Sequence, residues 1–117
     1  MLAIDLMKKA VKCADDKKAL DIKVLNIGDL TTLADYFVIC HAPSNTQMNA
    51  IYGEIEDKLE EDGVFLINRG SHDSTQWLLM DYGDVVVHIF NTESREFYGI
   101  EKLWADAKTE DISDIIS

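Results

Sequence analysis

The run YFVICHA, Tyr36 to Ala42, constrains this chain more than any other stretch. It is almost continuously apolar and rich in aromatic and β-branched side chains, so it needs cover on both faces, as a central strand of a helix-flanked sheet has. Pro43 ends it, because proline has no N–H to give to a ladder. Ser44, with Gln47 three residues later, has the spacing of a capping box, and Met48, Ile51, Ile55 and Leu59 follow on one helical face. A helix from about Thr46 to Glu61 is therefore predicted, with Gly63 taking the left-handed turn at its end. Its outer face is acidic: Glu54, Glu56, Asp57, Glu60 and Glu61.

The remaining elements follow from the same periodicities. Ile4, Met7, Val11 and Ala14 form one helical stripe near the N-terminus, and Ile22 to Ile27 reads as a short strand closed by Gly28-Asp29. VFLIN, residues 64 to 68, reads as another strand, joined to the Tyr36–Ala42 strand by a parallel crossover through the capped helix. RGSHDST is a polar loop, and WLLMDYGDVVVHIF carries two apolar runs around a glycine turn, the mark of a β-hairpin. Thr92 or Ser94 can cap a final helix bearing Phe97, Ile100, Leu103 and Trp104. The order α, β, β, α, β, β, β, α predicts an α/β fold: a mixed five-stranded sheet with helices packed on it. We expect one domain over residues 1–105 and a loosely held acidic tail over 106–117.

A chain of 117 residues has room for a single core. Its 47% apolar and 28% charged content is that of a folded globular domain rather than a disordered segment. The 22 acidic and 11 basic residues give a formal net charge of −11, which argues against direct nucleic-acid binding, since that rests on Lys and Arg neutralising phosphates. A basic protein surface would instead be steered toward it. Cys13 and Cys40 have no CxxC spacing and read as small buried hydrophobes. The N-terminal stripe is broken by Asp5, Lys8 and Lys9, unlike a signal peptide, and no run approaches the ~20 apolar residues of a membrane span. The expectation is a cytoplasmic protein in a reducing compartment, with no membrane contact.

Asp81 and Asp84 flank Tyr82-Gly83 at the hairpin apex. Paired carboxylates can share acid–base work or hold a divalent metal, but at an exposed tip neither is desolvated, and aspartate is a common turn residue. Gly70-Ser71 upstream resembles the Gly-Ser loop of nucleotidyltransferases only faintly, because the two acids are three apart across a turn rather than at DxD spacing. His41, His72 and His88 are scattered, so neither a metal site nor a cofactor is expected. Ser71 with His72, or Cys40 with His88, could form a nucleophile–base pair, though no spacing demands it. Strand alternation places Asp84, Val86, His88 and Phe90 on one face. With Tyr82-Gly83 as the loop, Trp77 lies opposite His88; with a three-residue turn, Gln76 does. In the first register Trp77, Leu79, Val86 and His88 form an amphipathic face that is either covered by a helix or left open for a partner.

ADYFVI, S-x-x-Q opening an acidic helix, DYGDVVVHIF and REFYGIEKLW together resemble the Iojap family of ribosomal silencing factors, over essentially Leu2 to Trp104. CHAPS, Cys40 to Ser44, departs from the small serine-glycine turn usual there. The resemblance implies a sheet of nucleotidyltransferase-like topology without catalysis and a homodimer when free. It also implies binding to the large ribosomal subunit through its protein L-fourteen, which blocks joining of the small subunit when nutrients fail. Carried onto this chain, Trp77 and Leu79 become apolar anchors, Tyr82 a tip contact, Asp81 and Asp84 acceptors for basic side chains, and His88 the patch edge. Arg95, Phe97, Tyr98 and Trp104 would hold the last helix to the sheet, or to a second copy. The alternative is a nucleotidyltransferase-like enzyme using Asp81 and Asp84 with a divalent metal.

Overall fold

Helix α1 (Ala3–Asp16) buries Leu6, Met7, Ala10, Val11, Cys13 and Ala14 on one stripe, while Ile4 in its first turn stays exposed. Helix α2 (Asn45–Glu61) buries Met48, Ile51, Tyr52, Ile55 and Leu59. The computed structural model describes residues 1–67 and 76–117. The Ser44 hydroxyl caps α2 by accepting from the Gln47 backbone N–H at 3.1 Å. The Gln47 side chain does not close the box; its amide donates to the carbonyls of Lys17 and Lys18 at 3.3 and 3.0 Å, tying the end of α1 to the start of α2. Ser44→Ala should therefore lower stability by about 1 kcal/mol. A urea midpoint equal to that of the parent would refute the cap's contribution.

Among the described residues the sheet has five strands, ordered β3-β4-β2-β1-β5. They are β1 (Leu20–Asn26), β2 (Tyr36–Ala42), β3 (Trp77–Asp81), β4 (Val85–Asn91) and β5 (Lys108–Thr109). β2 and β4 are parallel, and the other neighbouring pairs are antiparallel. YFVICHA is thus an interior strand, as its two apolar faces require. Val38, Cys40, Leu78, Met80, Val87 and Ile89 face α1 and α2. Leu25, Ile39 and Phe90 face the other way, against Ile100 of the C-terminal helices. One face carries the large core, and the other is only partly covered.

Three expectations are corrected. Val64 to Ile67 is not a strand: Val64 and Leu66 pack partly inward while Phe65 and Ile67 stay exposed, and Ile67 N–H donates a single bond to the Asp81 carbonyl at 2.8 Å. An extended segment and a paired strand share a two-residue period, so alternation could not separate them. Asn68 and the RGSHDST loop, with Ser71 and His72, lie outside the described residues. The chain leaving α2 enters β3 and then β4, and it is β4 that lies parallel to β2. The fifth strand comes from the C-terminal residues expected to be loose. β5 pairs with Leu25 and Asn26, Ile112 enters the core, and Ser117 N–H donates to the Asp15 carboxylate at 3.0 Å. The final helix is also broken. α3 (Thr92–Tyr98) stops at Gly99, whose φ of 58° is left-handed, and α4 (Ile100–Leu103) begins afresh. Its cap is neither Thr92 nor Ser94 but Asn91, which accepts from Ser94 N–H at 2.8 Å.

Candidate functional site

The hairpin turn is set by Asp81, whose carboxylate accepts from Gly83 N–H at 2.8 Å, an Asx turn that fixes the backbone ahead of it. Tyr82 N–H then bonds the Val85 carbonyl at 3.0 Å, so the two-residue loop is Gly83-Asp84, with Gly83 at φ 85°. Neither proposed register is adopted: Leu79 lies opposite His88, and Trp77 opposite Phe90. The slip from the first register is two residues, an even number, and so the composition of each face survives. Trp77, Leu79, Asp81, Val86, His88 and Phe90 share the face away from α1 and α2.

Tyr82 is not a tip contact. It has the parity of Leu78 and Met80, so it is buried in the main core, and burial with Glu56 nearby pushes its phenol pKa up. Asp84 is exposed at the apex, while its backbone carbonyl accepts from Asp35 and Tyr36 N–H at 2.8 and 3.1 Å, docking the hairpin onto β2. Cys40 and His88 lie on opposite sides of the sheet and form no nucleophile–base pair. Desolvation pushes the Cys40 thiol up to about 12 and the Cys13 thiol up to about 11. Among the described residues no three acidic, His or Cys side chains are placed to hold a metal ion.

His88 is not at the edge of the patch but buried in it, at 4% exposure. Trp77 Nε1–H donates to His88 Nδ1 at 3.2 Å, and the indole nitrogen can only donate, so Nδ1 is the acceptor and the ring proton sits on Nε2. Nε2 is buried with no hydrogen-bond partner among the described residues, an arrangement that costs on the order of 1–3 kcal/mol. Desolvation pushes the His88 imidazole pKa down to about 4, so it is neutral at physiological pH.

Around it runs an aromatic band that the hairpin alone does not disclose. Trp77 lies 4.9 Å from Phe90 and 5.0 Å from Tyr98, His88 lies 4.6 Å from Phe37, and Phe37 lies 5.4 Å edge-to-face from Trp104. Trp77, Leu79, Val86, Phe37 and Trp104 are each half-buried. The face is thus covered at one end by the C-terminal helices and open at the other, between the two alternatives. Phe37 could have been found from its parity in β2; Tyr98 joins the band from the last turn of α3, and Trp104 from beyond the break at Gly99.

Arg95 does hold α3 to the sheet. Its guanidinium meets Glu101 with two bonds of 3.1 and 3.2 Å, and it reaches the Asp21 carbonyl at 2.6 Å and His41 Nδ1 at 2.8 Å. Tyr98 hydroxyl donates to the Gln76 side chain at 3.0 Å, whereas Phe97 is 82% exposed and holds nothing to the sheet. A shallow cavity of about 390 Å³ beside Arg95 is lined by Lys23, His41, Thr92, Glu101 and Lys102. Its most buried cation is already occupied by Glu101.

Comparison with known proteins agrees with this architecture. The family model described as ribosomal silencing factor during starvation, RsfS, matches residues 2–117. The chain is 42% identical over 107 residues to the ribosomal silencing factor RsfS of Bacillus subtilis, covering 92% of this chain and 91% of that protein. It is 38% identical over 96 residues to the chloroplastic protein Iojap of Zea mays, covering 82% of this chain and 42% of the longer relative. A crystal structure of a Chromobacterium violaceum protein superposes with a TM-score of 0.86 at 33% identity, covering 97% of this chain and 93% of that one.

Proposed function

This chain belongs to the RsfS family of ribosomal silencing factors, and from that premise we propose that it represses translation by occlusion rather than by chemistry. It binds the large ribosomal subunit in the cytoplasm, through the basic protein L-fourteen that the family resemblance implies, and so prevents the small subunit from joining. The observation that carries this reading is the half-open aromatic face. Trp77 and Leu79 stand partly exposed on β3, and Asp84 is exposed at the rim. Aromatic anchors with a charged rim suit a protein partner, and a net charge of −11 favours a basic one while disfavouring the surrounding RNA. Asp81 serves the turn first, which weakens its role as an acceptor and as a metal ligand alike. Free in solution the chain would pair with a second copy, and exposed Phe97 and Leu103 offer apolar surface for that contact.

Co-sedimentation with separated ribosomal subunits tests the proposal. The chain should pellet with large subunits and not with small ones. Trp77→Ala should weaken binding by about thirtyfold or more, the loss of an anchor worth ~2 kcal/mol. Asp84→Lys should act mainly on the association rate, by several-fold at low salt. A folded Trp77→Ala variant that binds undiminished would remove this face from the interface.

A further inference from the structure

We propose that His88 is a positioning residue for the docking face: its Nδ1 holds the Trp77 indole in the orientation that the partner meets. This rests on the reading of Trp77 as an anchor. Trp77 lies on β3, the outermost strand of the sheet on its side, so among the described residues no further sheet strand confines its ring. Phe90 and Tyr98 flank the indole at 4.9 and 5.0 Å, but ring contacts of that kind tolerate sliding and rotation. The bond to His88 at 3.2 Å is directional and fixes one edge of the ring. An anchor already held in its bound rotamer loses less freedom on association, which raises affinity without adding a contact.

The choice of side chain supports this over a packing role. A position 4% exposed, paired laterally with Leu79 and Ile39, would be filled more favourably by leucine. Histidine instead leaves Nε2 buried without a partner among the described residues and has its protonated form suppressed. What the imidazole supplies that leucine cannot is the acceptor for Trp77.

The test compares His88→Leu, which keeps bulk and removes the acceptor, with His88→Asn, whose amide oxygen takes the place of Nδ1. Two readouts are used: the proton resonance and solvent exchange of the Trp77 indole N–H in the free protein, assigned through Trp77→Phe, and affinity for isolated large subunits. In the parent the indole proton should be protected. His88→Leu should melt at or above the parent temperature, lose that protection and bind about tenfold more weakly, and His88→Asn should recover both readouts to within about threefold. A packing role predicts the reverse for leucine, with affinity falling only alongside stability. An unprotected indole in the parent overturns the proposal, as does a folded His88→Leu protein that binds like the parent. Should His88→Leu not fold, His88→Asn decides alone: protection with parent affinity supports the proposal, and protection with lost affinity overturns it. Equal binding by parent and Trp77→Ala would instead overturn the reading of Trp77 as anchor, leaving the indole measurement to stand on the free protein.

Discussion

Replacing Arg95 by alanine is expected to lower the unfolding free energy by about 2–4 kcal/mol, the cost of removing the buried member of a half-buried ion pair together with its bonds to backbone. Arg95 is 7% exposed and ties its own helix to three other segments. Glu101 in α4 takes both arms of its fork, the Leu20 and Asp21 carbonyls accept from Nη1, and His41 at the end of β2 lies 2.8 Å away. Asp21 holds a left-handed φ of 45° in the bulge of β1, which aspartate tolerates better than most residues. The arginine hydrogen bond holds the Glu101 carboxyl below its usual range, and burial, then the neighbouring arginine, pushes the His41 imidazole below its own. Truncation would leave the Leu20 and Asp21 carbonyls and His41 without this partner, and Glu101 with Lys23 alone. Lys23, at 3.5 Å from Glu101, could replace the charge but not the fork, so Arg95→Lys should recover only part of the loss. Chemical denaturation measures both, and a drop of less than about 1 kcal/mol for alanine would show that the network is not needed for stability.

The second large effect is acid destabilisation through His88. Its folded pKa of about 4 lies below the ordinary 6.5, so between those values the unfolded chain takes up a proton that the folded chain refuses. Stability from this residue is complete above about pH 6.5 and falls as pH drops toward 4, by ~3 kcal/mol over the window. His41 acts in the same direction, and Glu101 follows at lower pH, so the parent's curve alone does not isolate His88. The difference between parent and His88→Leu does. Melting temperatures across pH 4 to 7 should converge with falling pH if the variant starts lower, or separate further if it starts higher. Parallel curves would mean that His88 titrates normally and is more accessible than its position under Trp77 and Phe37 implies.

Much of the fold was legible because its signals are local. The Ser44 cap, the α2 stripe, the interior character of YFVICHA, Gly63 and the existence of the hairpin all depend on residues within one or two turns of each other. The errors fell where a distant segment decides or where two local turn geometries compete. β5 is two polar residues that become a strand only because β1 has an unpaired edge, and its one sequence signal was the spacing of Ile112, Ile115 and Ile116 behind it. The hairpin register turned on whether a single carboxylate, Asp81, would bond Gly83. Tyr82 was misplaced for a different reason: its parity with Leu78 and Met80 was visible, but the turn was assumed to begin one residue early.

By itself the sequence determined the class of the fold, the central strand, the capped helix, the acidic balance, and which side chains share the Trp77 face. These follow from periodicity and composition, which belong to the chain before it folds. Only the tertiary structure decided that this face is half-covered, that Tyr98 and Trp104 extend it, that Tyr82 leaves it, and that His88 lies beneath Trp77 as its hydrogen-bond acceptor. Those outcomes depend on where Gly99 breaks the last helix, where Asp81 sets the turn, and how Arg95 draws β1, β2, α3 and α4 together. The first two are local conformational choices among near alternatives, and the third is a long-range contact realised only when the sheet is in place.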